Sequence, residues 1–85
     1  RTDPADLAYV TAIIAENDVP LAWVMLRNED RILKVHEGDL LEVGGFSGIV
    51  AEIDDNDMIV DVDGQRWLLT IGDALTDGFA IPPEN

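Results

Sequence analysis

The stretch FSGIVAEIDDNDMIVDVDGQRWLLTIG, residues 46–72, decides the fold. It consists of three short runs in which side chains fall alternately on two faces, separated by turn residues. Under strict alternation, Ile49, Ala51 and Ile53 share one face of the first run, and Val50 and Glu52 share the other. Asp54, Asp55, Asn56 and Asp57 follow as a turn. Met58, Val60 and Val62 align in the second run. Asp63-Gly64 is a favoured hairpin dipeptide, because both residue types tolerate positive φ. In the third run Trp67, Leu69 and Ile71 share a face, Arg66, Leu68 and Thr70 share the other, and Gly72 ends it. Period two, with Val, Ile and Trp between Asp, Asn and Gly breaks, predicts antiparallel strands.

The same grammar extends upstream. Residues 31–36 (RILKVH) place Ile32 with Lys34 and Leu33 with Val35 on opposite faces. Residues 21–26 (LAWVML) form an apolar run, and the polar turn 27–30 between these two segments predicts a hairpin. Glu37-Gly38-Asp39 is a further turn, followed by the short run Leu40-Leu41. Gly38, Gly44, Gly45, Gly48 and Gly64 are expected at turns or bulges that need positive φ. Residues 7–15 (LAYVTAIIA) read two ways. Asp3, Pro4 and Asp6 look like a helix start. Tyr9, Thr11 and Ile13 alternate as a strand does, and their residue types favour one. The strand is the better reading, with residues 16–20 as its end, since Pro20 lacks a ladder donor. Downstream, Ala74-Leu75 fits a single helical turn, and Pro82-Pro83 reads as a terminus or linker. Six strands in 85 residues predict an all-β sandwich or small barrel. It is expected as one domain, with a core over residues 7–71 and flanking tails at 1–6 and 76–85.

Five basic against eighteen acidic residues leave a net charge of −13. That balance opposes binding to nucleic-acid phosphates and to anionic membrane surfaces. A hydrophobic content of 47% is too high for a disordered acidic tail. No apolar run approaches the roughly 20 residues of a membrane span. There is no cysteine, which removes disulfides, thiolate metal sites and cysteine nucleophiles. The chain starts at Arg1 and is expected to be a piece of a longer protein.

No motif for catalysis, a cofactor or a metal emerges. His36 is the lone histidine and reads as an ordinary strand-end residue. The acids Asp54, Asp55, Asp57, Asp61 and Asp63 fail the EF-hand pattern, because Ile59 falls on a required ligand position in either register. Gly44-Gly45 and Gly48 lack the lysine and helix of a phosphate loop, and Ser47 lacks the strand–turn–helix setting of a nucleophile elbow. Trp23 and Trp67 read as packed rings; an exposed one would mark a partner surface. Arg27, Arg31 and Lys34 hold three of the five positive charges within eight residues, which suggests a strongly dipolar domain.

The order of segments resembles the homology-region domain of the type II secretion inner-membrane component GspC and of its type IV pilus counterpart PilP. The residues that carry it are 10–15, 22–26, Val35 with Gly38-Asp39-Leu40-Leu41, 49–53, 57–62 with Gly64, and 67–69. The resemblance covers residues 7–71. It implies a six-stranded β-sandwich of two antiparallel three-stranded sheets, no enzymatic activity and no cofactor. It implies a periplasmic domain anchored to the inner membrane by a segment outside this chain. Its partner would be the N-terminal periplasmic domain of the outer-membrane secretin. In that family the first strand contributes to the contact, which carries over to Tyr9, Thr11 and Ile13. Arg27 and Arg31 join them on charge alone. The charge of −13 departs from the family pattern. A second resemblance, over residues 36–75, is similar to SH3-like barrels of the KOW and YajC kind. It implies an adaptor domain and expects residues 7–15 to be helical.

Overall fold

The computed structural model describes residues 3–83. Residues 1, 2, 84 and 85, which belong to the expected tails, lie outside it. The fold is all-β, with eight strands in two antiparallel sheets rather than six strands in two sheets of three. Strands β1 (Ala8–Glu16), β2 (Val19–Leu26) and β3 (Arg31–His36) form a three-stranded sheet in chain order. Strands β4 (Leu40–Val43), β5 (Phe46–Ile53), β6 (Asp57–Val62), β7 (Gln65–Thr70) and β8 (Phe79–Ile81) form a five-stranded meander.

The two additional strands have simple causes. Leu40-Leu41 extends to Val43 because Leu41 and Val43 both reach the core. Phe79–Ile81 pairs with β7, where the sequence suggested an unstructured tail. The core also runs past residue 71, since Ala74 and Leu75 are buried.

Both readings of the first segment find a place. Asp3 caps a 3₁₀ turn, Pro4–Leu7, by accepting a hydrogen bond from the Ala5 amide at 3.0 Å. The strand begins at the next residue, so the helix that the SH3-like reading expects over 7–15 is strand β1. Asp3 Oδ1 also accepts from Gly45 N–H at 3.0 Å, tying the start of the chain to the β4–β5 turn. A second 3₁₀ turn, Leu75–Asp77, packs against the first. Thr76 donates its hydroxyl to Asp6 at 2.6 Å across that contact.

Turn chemistry explains the hairpins. Asn17 and Asp18 both hold positive φ, giving a two-residue link between Glu16 and Val19. Asp63-Gly64 does the same between β6 and β7, and Asp61 accepts from Gly64 N–H at 2.8 Å. Pro20 lies within β2, opposite Ala15, so the break is only Asn17-Asp18. The β3 partner strand stops at His36, opposite Leu21, so Pro20 stands where no strand asks for its missing donor. Gly45 and Gly48 do not hold positive φ. Gly48 is glycine for space: an added Cβ would meet Val60 Cγ1 at 2.7 Å and the Asp61 carbonyl at 2.8 Å.

Two β-bulges correct the expected faces. One falls between Val10 and Ala12, the other between Val50 and Glu52. Each adds one residue, Thr11 or Ala51, and reverses the alternation beyond it. Val10 and Val50 are buried, and three residues on Ile13 and Ile53 also turn to the core. The second bulge leaves Glu52 exposed, where strict alternation would have pointed it inward at the cost of desolvating a carboxylate.

Candidate interaction surface

The outer face of the three-stranded sheet is built from two rows of paired residues. Tyr9, Met25 and Ile32 form one row, and Ala12, Trp23 and Lys34 form the next. Their neighbours Val10, Val24 and Leu33 point the other way, into the core. Two cations lie over the aromatic rings of this face. The Arg27 guanidinium sits 4.4 Å from the Tyr9 ring centroid. The Lys34 ammonium sits 5.3 Å from that of Trp23. Each contact holds a flexible side chain against a flat apolar platform.

The charge pattern of this sheet is unlike that of the rest of the chain. Among the residues of β1, β2 and β3 the single acid is Glu16, at the end of β1. Arg31, Lys34 and His36 lie on β3, and Arg27 follows β2. Three of the four described Lys and Arg residues therefore belong to this sheet or its turn; the fourth, Arg66, pairs with Glu52 on the other sheet. The remaining cation, Arg1, lies outside the described residues. Ile32 is 40% exposed, and Trp23 is half-buried with its indole N–H out of reach of solvent and of any acceptor among the described residues.

The expected contact residues divide. Tyr9 lies on the outer face beneath Arg27. Thr11 occupies the bulge, exposed, with its hydroxyl 3.4 Å from the Trp23 carbonyl. Ile13 does not join them, because the bulge turns it toward the core. Arg31 is exposed at the start of β3, with Glu29 at 3.8 Å. Trp23, Met25, Ile32 and Lys34 complete the surface. The acid-free spans 8–15, 19–26 and 31–36 were visible in the sequence and were the signal for them.

The outer face of the five-stranded sheet is different in kind. Ile59, Leu68 and Phe79 form an apolar row across it, with Phe79 68% exposed. Acids interrupt it: Asp61 lies opposite Arg66 and Ile49, and Glu52 lies opposite Ile59. The carboxylates of the turns do local work. The Asp3 carboxyl is held below its usual range by the hydrogen bonds from Ala5 and Gly45. Asp39 accepts from His36 N–H at 2.8 Å and lies 3.6 Å from the imidazole. Among the described residues no three His, Asp or Glu side chains converge as metal ligands.

Comparison with protein-family models, curated proteins and solved structures finds no match to this chain.

Proposed function

We propose that this domain is a non-enzymatic interaction module that docks a protein partner on the outer face of its three-stranded sheet. One observation carries the reading: a chain of net charge −13 keeps one sheet free of acids except at a strand end, and sets cations over its half-buried outer-face aromatics. Tyr, Trp, Met and Arg are the residue types enriched at protein interfaces. The strand order and the Gly38-Asp39 turn favour a particular setting, that of a secretion or pilus machine. On this reading the domain works in the periplasm and is tethered to the inner membrane by a segment outside the chain. It couples that membrane to the secretin by holding the secretin's N-terminal periplasmic domain. The SH3-like adaptor reading draws on the five-stranded meander alone, and gives β1–β3 no role.

The test is calorimetry against a matching secretin N-terminal periplasmic domain, at high protein concentration. The expected result is saturable binding that weakens with salt. The double variant Arg27→Glu, Lys34→Glu is expected to weaken it at least about tenfold, because charge complementarity governs such contacts. Arg66→Glu, on the other sheet, is expected to leave it unchanged. Absence of heat at high concentration would overturn the secretin assignment.

A further inference from the structure

Four strand edges lie open among the described residues, and they are not equivalent. The first is the distal half of β1. Its other half is closed by hydrogen bonds between Val10 and the Gly72–Asp73 backbone. This open half runs beside Asp18, Asp54 and Asp55. The second is β8, three residues long, whose Ile81 carbonyl already accepts from Gln65 Nε2 at 3.1 Å. The third is β4, at the other edge of the five-stranded sheet, and the fourth is β3.

The β3 edge can be read group by group. His36 N–H turns away from β2 to the Asp39 carboxylate, and the His36 carbonyl accepts from Asp39 N–H. Antiparallel ladders alternate residues bonded to the partner with residues that face outward. Lys34 and Ile32 therefore face outward as His36 does. No described group bonds their N–H or carbonyl. Beside them runs a groove of about 480 Å³ between β3 and β4, floored by Leu33, Val35 and Leu41 and flanked by Arg31 and Lys34.

We infer that β3 accepts an extended segment of a partner protein as a fourth strand of this sheet, and that this segment is acidic. The added strand would bond Ile32 and Lys34 through the main chain. Its groove-facing side chains would be apolar, against Leu33 and Leu41. Carboxylates on its other face would meet Lys34, and Arg31 at the strand's start adds to the positive field. Asp39 and Glu42 line the far, β4 side of the groove and repel an acid placed there, which directs the pairing to β3. A second copy of this chain is a poor occupant. Antiparallel pairing of β3 with itself joins two basic strands and, in the register centred on Lys34, sets ammonium against ammonium; edge lysines are a device by which natural sheets resist self-association.

The inference rests on the module reading and names the edge that the module uses. Its test is independent of the secretin. A synthetic peptide of about seven residues, alternating valine and glutamate, is titrated into the labelled domain at about 0.15 M salt. Distant charges are screened there, and close pairs persist. The expected result is that the amides of Ile32 and Lys34 shift most and exchange more slowly, and that the lysine version of the peptide binds at least about tenfold more weakly. Ile32→Pro removes an outward N–H without touching the β2 ladder and is expected to abolish binding; Ile32→Thr is expected to retain it. Should Ile32→Pro fail to fold, Lys34→Glu replaces it and is expected to reverse the peptide preference. Equal binding of both peptides would overturn the inference. So would shifts centred on Ala15 or Leu40, or a dimer of the domain joined through β3. Peptide binding without secretin binding would leave the edge standing and sink only the secretin assignment.

Discussion

The two sheets of this domain share one core and face solvent in opposite ways. Inside they are alike: Val10 and Val24 on one sheet, and Val50, Met58 and Val60 on the other, are all fully buried. Outside, the five-stranded sheet mixes apolar residues with Glu52, Asp61 and their one pairing cation, Arg66. The three-stranded sheet presents aromatics, Met25, Ile32 and the cations Arg27 and Lys34 stacked on those aromatics. Solubility demands that some face carry charge, and folding demands only that the inner faces be apolar. Neither demand explains why the acids avoid one sheet. The asymmetry is what points to a partner.

The comparison breaks first at the inner faces, which should be equally intolerant. Met58→Ala is expected to cost about 3 kcal/mol, the usual range for emptying a buried site of this size. Met25→Ala, on the outer face of the other sheet, is expected to cost less than about 1 kcal/mol. Urea unfolding with a shared slope checks both. Gly48→Ala comes next, at about 2 kcal/mol, because its Cβ would press on the Asp61 carbonyl, which cannot swing aside. Gly64→Val should cost about 1 kcal/mol: φ is +87° there with open space around it, so backbone strain acts alone. Equal melting temperatures for Gly64→Val and the native chain would contradict the hairpin assignment.

Trp23→Phe is expected to leave the melting temperature unchanged or slightly raised. It keeps a ring under Lys34 and removes a buried N–H that has no acceptor. The smallest effect is acidic. The depressed Asp3 carboxyl contributes stability that is present above its unfolded-state pKa. That contribution is lost as pH falls through the lower folded value. Asp3→Asn should flatten this part of the melting-temperature profile.

How legible all this was in the sequence depends on the element. The β6–β7 hairpin was readable residue by residue, because Asp63-Gly64 and clean alternation agree. The bulges were not, since period two has no place for an extra residue. A trace was nevertheless present at the second: Val50 and Ile53 are an apolar pair three apart, and strict alternation from Val50 would have put Glu52 in the core. Strand β8 was hidden because Phe79–Ile81 is three residues long beside prolines. It needs β7 as a template. At the candidate surface, Tyr9 and the basic cluster were legible. Ile13 was misplaced by the Thr11 bulge. Trp23 could not be assigned a face before the register was known.

The most direct test of the working face is the proton–nitrogen correlation spectrum, recorded while the labelled domain is titrated with the secretin domain. Trp23 reports on the outer face of the three-stranded sheet; Trp67 pairs with buried Val60, so the amides of Ile59, Leu68 and Phe79 report on the outer face of the other. The account predicts that the Trp23 indole signal shifts or broadens with the amides of Tyr9, Met25 and Lys34, while the amides of Ile59, Leu68 and Phe79 stay fixed. Movement of the amides of Ile59, Leu68 and Phe79, and a still Trp23, would contradict it.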